Sequence, residues 1–257
     1  MTGSTPVSAT KGKIPLAIRS FSCYNSVMNE KVKSITAFNK LTNKLKTVMR
    51  SGWQNWGIGA PRLESVAEHS HGTQMLAYAI WENFKERYPD VNISRVISML
   101  AFHEMEETLM PDYTPFDKIT KAEKRAKGAA CVEKVASTLP QSNYMRELIA
   151  EFEQRTTPDG KFAKMVDTLE AGLQCQIYDE QGHIDLKNPK ALEQLRVHDP
   201  KKRGHDNLSD SWLAYCDESY DYDETFGEIA RAAQTTRTNR LGQLANTLRV
   251  VAKQKVD

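Results

Sequence analysis

The 257-residue chain is 40% hydrophobic and 26% charged, with a formal net charge of +2. That length holds one large domain or two small ones around a substantial core, and the near-neutral balance lacks the localised basic excess of a nucleic-acid binder. No apolar run approaches the length of a membrane span, no N-terminal apolar segment reads as a secretion signal, and Cys23, Cys131, Cys175 and Cys216 form no C-x-x-C pair, so the expectation is a cytoplasmic protein without a membrane partner.

Residues 1–28 read as a flexible tail. A helix is predicted from about Glu30 to Met49, with Ile35, Phe38, Leu41, Leu45 and Val48 at helical spacing. A Gly- and Trp-rich loop spans Ser51 to Arg62, and the next helix starts near Glu64, with Ser65 as a candidate cap, and reaches about Tyr88. Asn92 or Ser94 opens another, which Pro111 should end. Residues 119–138 and 142–156 read as two helices separated by Pro140, and Pro158 to Gln176 as a sixth with Pro just inside its start. Residues 178–222 turn polar and read as a long surface excursion with a turn at Asp179–Gly182 and a short helix at 188–196. A last helix runs from about Glu224 to Lys253, with a stripe of Leu241, Leu244, Leu248 and Val251 that packs on the core or on a second subunit. With no convincing strand, the fold class is all-α: about six core helices plus a C-terminal helix. The expected division is a tail at 1–28, a core at 29–178 and the excursion with its helix at 179–257.

His103-Glu104-Met105-Glu106-Glu107 departs from ordinary patterning. On a helical wheel Val96, Ile97 and Leu100 form an apolar stripe that His103, Glu104 and Glu107 continue, while Glu106 points to solvent. Carboxylates on a core-facing stripe are costly unless a positive charge meets them, and a metal ion is the obvious candidate. His69 lies on the apolar face of its own helix with Val66, Leu76, Ile80 and Phe84, whereas His71 points away. Asp167 lies beside the face formed by Phe162, Val166, Leu169 and Leu173. Taken singly, His69 is as well read as a core histidine and Asp167 as an ion-paired helix edge. Together, two His and two carboxylates suit a divalent metal with an open position for water.

Five segments in this order resemble the HD-superfamily metal-dependent phosphohydrolases, in particular the small 5′-deoxynucleotidases. They are Arg50-Ser-Gly-Trp53, Glu64-Ser-Val-Ala-Glu-His69-Ser, His103-Glu-Met-Glu-Glu107, Asp112-Tyr-Thr-Pro115 and Phe162-Ala-Lys-Met-Val-Asp167, within roughly residues 30–178. The signature His-Asp pair of that family is His103-Glu104 here. The resemblance implies an HD-type helical bundle, a homodimer and one divalent ion (Co, Mn, Zn, Fe or Mg) held by His69, His103, Glu104 and Asp167. It implies that Glu107 positions or deprotonates water, that Asp112 serves the leaving ribose oxygen, that Arg50 binds phosphate and that Trp53 edges the nucleoside pocket. Arg62 is a second phosphate candidate, Thr114 shapes the Asp112 loop, and the run Lys118, Lys121, Lys124, Arg125 and Lys127 is either a solvated face or a contact for outer phosphates.

The expected activity is removal of the 5′-phosphate from deoxyribonucleoside monophosphates. Its alternatives are release of triphosphate from deoxynucleoside triphosphates, or a nucleotide-binding module in which Glu104 has impaired turnover. A rival reading, His-Glu-x-x-Glu as a zinc-protease variant, makes Glu104 the base and Glu107 a ligand but leaves His69, Asp167 and Arg50 unexplained. Nucleic-acid binding through Arg237, Arg240, Arg249 and Lys253 lacks the interleaved aromatics that would support it.

Overall fold

Helix starts follow caps written in the sequence. The computed structural model describes residues 16–114, 117–195, 204–205, 207–219 and 222–234, with side chains from Met28 onward. Helix α1 spans Leu16–Thr42 and a 3-10 turn follows at Asn43–Lys46. The short α2 is Ser51–Asn55. Ser65 caps α3, Val66–Phe84, and Glu68 answers it in a reciprocal capping box. The Asn92 side chain accepts the Arg95 N–H at the start of α4, Ile93–Phe102. Thr120 and Glu123 make a second capping box for α5, Lys121–Ala136, and α6 is Asn143–Gln154. Thr157 caps α7, Pro158–Glu180, whose first position is proline. Helices α8, Pro189–Gln194, and α9, Leu208–Ser219, precede a helical stretch at 224–234, α10. The fold is all-α; extended pairing among the described residues is a single bridge between Met49 and Ser65.

Helix α7 is the axis of the bundle, packed against α3, α4, α6 and α9. The main core joins Ile80 of α3, Val96, Met99 and Leu100 of α4, Leu148 and Phe152 of α6, and Phe162, Val166 and Leu169 of α7. Burying such side chains yields about 1.5–3 kcal/mol each, which fixes α3, α4 and α7 relative to one another. Helices α3 and α7 carry His69 and Asp167, and the end of α4 presents His103 and Glu104. A second cluster, with Trp53, Trp56, Cys175, Tyr178 and Leu208, locks α2 against the far end of α7 and the start of α9.

The structure differs from the sequence reading in four places. Helical backbone begins at Leu16, within the expected tail, because neither Pro nor Gly interrupts the chain between Pro15 and Gly52; residues 1–15 lie outside those described. The Gly/Trp loop contains α2. Helix α4 stops at Phe102 and a 3-10 turn, Met105–Thr108, carries Glu106 and Glu107, with Glu104 just before it. The segment after 178 is more than a surface excursion: Leu208, Leu213 and Cys216 of α9 and Phe226 and Ala230 of α10 are buried, and Leu213, Phe226 and Ala230 join the main core. The stripe Leu241 to Val251, the cations Arg237 to Lys253 and Pro115 lie outside the described residues.

Candidate metal centre and active site

Apolar faces bring the polar site together. Val66 and Ile80 seat α3, Val96 and Leu100 seat α4, and Val166 and Leu169 seat α7, so His69, His103 and Asp167 are drawn inward with them. His69 Nε2 lies 2.9 Å from Asp167 Oδ1 and 3.4 Å from His103 Nε2. His103 Nε2 is 3.6 Å from Asp167 Oδ1 and 3.7 Å from Glu104 Oε1. Ligand atoms of His69, His103, Glu104 and Asp167 all fall within 4.8 Å of one another.

The outer nitrogens decide what this cluster can hold. His103 Nδ1 lies 2.8 Å from the Leu100 carbonyl and His69 Nδ1 lies 2.6 Å from Glu170 Oε2. Both partners accept only, so each Nδ1 carries the hydrogen and each neutral ring turns a bare Nε2 lone pair inward. Two lone pairs then face two carboxylate oxygens with no donor between them. A bound cation relieves that arrangement, and two imidazole nitrogens with two carboxylate oxygens fit a divalent metal. A proton is the competitor. Burial and Arg50 oppose charging His69, yet hydrogen bonds to Asp167 and Glu170 carry its pKa up to about 9.

Glu104 takes its place after α4 has ended. Its Oε1 meets Arg50 Nη1 at 2.8 Å while remaining 3.9 Å from His69 Nε2, so one longer side chain joins the imidazole pair to the guanidinium. Burial works against the Glu104 charge, but His103 and then Arg50 hold its pKa below the ordinary value. Arg50 also lies 3.9 Å from Asp112 Oδ2, which the Ser51 N–H holds at 2.8 Å. Burial opposes the Arg50 charge, but Glu104 and Asp112 keep the guanidinium more basic than usual.

Glu107 is buried, lines the same cavity and leaves Oε2 without a partner. Burial, then Glu104 and Asp112, push its pKa up to about 11 against Arg50. Glu106 is not the solvent-facing carboxylate of the wheel. The 3-10 turn changes its phase, leaving it half-buried in the cavity near Gly128, where burial and Glu104 push its pKa to about 7. The protease-like reading assigns the ligand the other way round: Glu104 belongs to the four-donor group and Glu107 does not.

The cavity measures about 1220 Å³ and is lined by three of the four donors, His103, Glu104 and Asp167, together with Arg50, Trp53, Glu107, Asp112 and Thr114. Trp53 is only 2% exposed and its indole N–H donates to Glu64 Oε2 at 2.8 Å, so it forms a wall and offers no free donor. Thr114 receives a hydrogen bond from Asn55 Nδ2 and ties the Asp112 loop to α2. Two expected phosphate ligands are elsewhere. Arg62 is exposed and pairs with Glu68 in the first turn of α3, and Lys118 is exposed and outside the cavity lining, its place taken by Lys121, Lys124 and Arg125 one and two turns later.

Two residues that the sequence reading left out belong to the site. Lys164 Nζ reaches Asp167 Oδ2 at 2.5 Å, and Glu170 orients His69. Both lie three residues from Asp167 on α7, the spacing that places side chains on one helix face. Burial opposes the Asp167 charge, but Lys164 and the two imidazoles hold its pKa well below the ordinary value. Glu170 has room because α3 carries Gly72 at the crossing; a Cβ there would collide with Glu170 Oε1. Gly72→Ala therefore weakens metal binding by about ten- to hundredfold, the range found when a partner of a metal-ligating His is lost. Stability changes by no more than about 1–2 kcal/mol, because the gain of about 1 kcal/mol from Ala in a helix offsets part of the cost of about 1–3 kcal/mol for leaving the buried His69 N–H without Glu170. Calorimetric metal titration with a thermal melt tests this, and unchanged metal affinity would refute the role given to Glu170.

A family model described as HD domain matches residues 42–206. The 5′-deoxynucleotidase HDDC2 of Dictyostelium discoideum is 32% identical over 160 residues, covering 61% of this chain and 83% of that protein. The Xenopus laevis protein of the same name is 30% identical over 208 residues, covering 80% and 94%. A "predicted metal-dependent phosphohydrolase" from Magnetospirillum magnetotacticum MS-1 has the same fold at a TM-score of 0.56, with 24% identity, covering 82% of this chain and 94% of that structure.

Proposed function

Because the chain belongs to the HD-domain family, we propose that His69, His103, Glu104 and Asp167 hold its divalent metal and that the adjoining cavity hydrolyses deoxyribonucleoside 5′-monophosphates. The chain is a metal-dependent nucleotide phosphohydrolase, in keeping with curated relatives named 5′-deoxynucleotidase. The observation that carries the assignment of residues is the four-donor cluster opening onto a cavity shared with Arg50, Glu107 and Asp112. A divalent ion held there supplies Lewis acidity toward water and toward phosphoryl oxygens. Arg50 spends one nitrogen on Glu104 and turns its remaining N–H donors to the phosphate. Glu107, ionised by the charge of a bound divalent ion, takes on Oε2 the proton of the attacking water as the water oxygen bonds to phosphorus. The bond from phosphorus to O5′ breaks, and the proton that Glu107 has taken passes by way of Asp112, held by the Ser51 N–H, to that oxygen.

Lys121, Lys124 and Arg125 line the same cavity and keep a second substrate, a deoxynucleoside triphosphate, in view. Product analysis with dAMP and dATP separates the two. Inorganic phosphate with deoxyadenosine from dAMP is the expected result; triphosphate from dATP, with dAMP untouched, would overturn it. The chain acts as a cytoplasmic homodimer in this reading, supported by the exposed Met28, Val32 and Ile35 on one side of α1 and by unbridged thiols at Cys131 and Cys216.

A further inference from the structure

Helix α9 begins at Leu208, just beyond the segment that matches the family model. Its residues Leu208, Ser211, Trp212, Tyr215 and Cys216 recur at helical spacing and line the cavity. Close approach to α7 puts them there. Gly172 leaves space that Leu213 fills, since a Cβ at Gly172 would meet Leu213 Cδ2 at 2.7 Å. The Cys216 thiol donates to the carbonyl of Thr168, the residue after Asp167, at 3.6 Å. Trp212 sits one turn before Cys216, about 5.4 Å along the helix, roughly the length of a pentose. Its ring centroid is 5.1 Å from that of Trp53, and its Cη2 is 4.0 Å from where a Cβ on Gly52 would lie, two residues from Arg50.

We propose that Trp212 and Tyr215 form the nucleobase subsite, so that α9 selects nucleotides over phosphate esters that carry no base. The inference rests on the nucleotidase reading above. With phosphate at Arg50 and the four donors, the sugar spans the turn between Cys216 and Trp212, and the heterocycle lies against the Trp212 ring. Every base presents a π face, so this wall distinguishes a base from none far better than one base from another. Trp53 cannot do this alone, because it is buried and its N–H is taken by Glu64.

The test compares dAMP with 2-deoxyribose 5-phosphate as substrates of the metal-loaded full chain. Trp212→Ala should raise KM for dAMP by about ten- to hundredfold, leave kcat in place and leave kcat/KM for 2-deoxyribose 5-phosphate unchanged. Trp212→Phe keeps an aromatic face and should retain most of the preference. Equal losses on both substrates would make α9 a structural support, and no change on either would place the base elsewhere; both results overturn the proposal. If the wild-type protein hydrolyses neither compound, the nucleotidase reading fails. Equilibrium binding of dAMP then decides the subsite: Kd rises in Trp212→Ala if the wall exists and stays put if it does not.

Discussion

Glu107→Gln is expected to lower kcat by about 10²–10⁴-fold, the range typical of a lost general base, while metal content and fold are retained. Gln preserves the size of the side chain and one oxygen but has no basic site for a proton. The fold tolerates the change because Glu107 is only 3% exposed and its pKa is already pushed up to about 11, chiefly by burial. In the metal-free protein the surroundings favour the neutral form, so a neutral isostere adds no unpaired charge; only beside a bound divalent ion does the carboxyl ionise and serve as the base. The melting temperature should hold or rise. The metal should stay because Glu107 is not among the four converging donors. Metal analysis of the purified variant decides the role: metal and turnover lost together would make Glu107 a ligand.

Asp167→Asn is expected to behave differently, losing metal, turnover and stability at once. Asp167 gives Oδ1 to the imidazole pair and Oδ2 to Lys164, so the substitution removes the one negative charge that both sides share. Metal affinity should drop by more than about a hundredfold, beyond what loss of an imidazole's outer partner produces. Lys164 is left without its carboxylate. Removing one partner of a buried pair costs about 3–5 kcal/mol; the cost here is smaller, because 21% of the Lys164 side chain remains exposed. Elemental analysis and thermal melting of the metal-free protein measure the two effects separately. A variant with one ion per chain and normal turnover would remove Asp167 from the centre.

His69, His103 and Asp167 were legible in the sequence because each breaks an apolar helical face, and a polar group on such a face must meet another. Glu107 was reached by a wheel that assumed an unbroken helix. Helix α4 ends at Phe102, and the 3-10 turn still buries Glu107 but also draws Glu106 toward the cavity. Arg62 and Lys118 were chosen for charge and nearness in sequence, which say nothing of direction; one faces Glu68 and the other solvent. Glu170 and Lys164 have a readable signal, three residues either side of Asp167, but the partner that gives Glu170 its role, His69, lies on α3. The wall from α9 had almost none. Leu-Ser-Asp-Ser-Trp-Leu-Ala-Tyr-Cys reads as a polar segment until Gly172 shows how closely it approaches α7.

Metal dependence of phosphate release from dAMP tests the central claim most directly. Chelator-stripped protein should release no phosphate, and turnover should return in proportion to added divalent ion and saturate at one ion per chain. Full turnover by the stripped protein, or none from any deoxynucleoside monophosphate with any of the divalent ions Co, Mn, Zn, Fe and Mg, would contradict it.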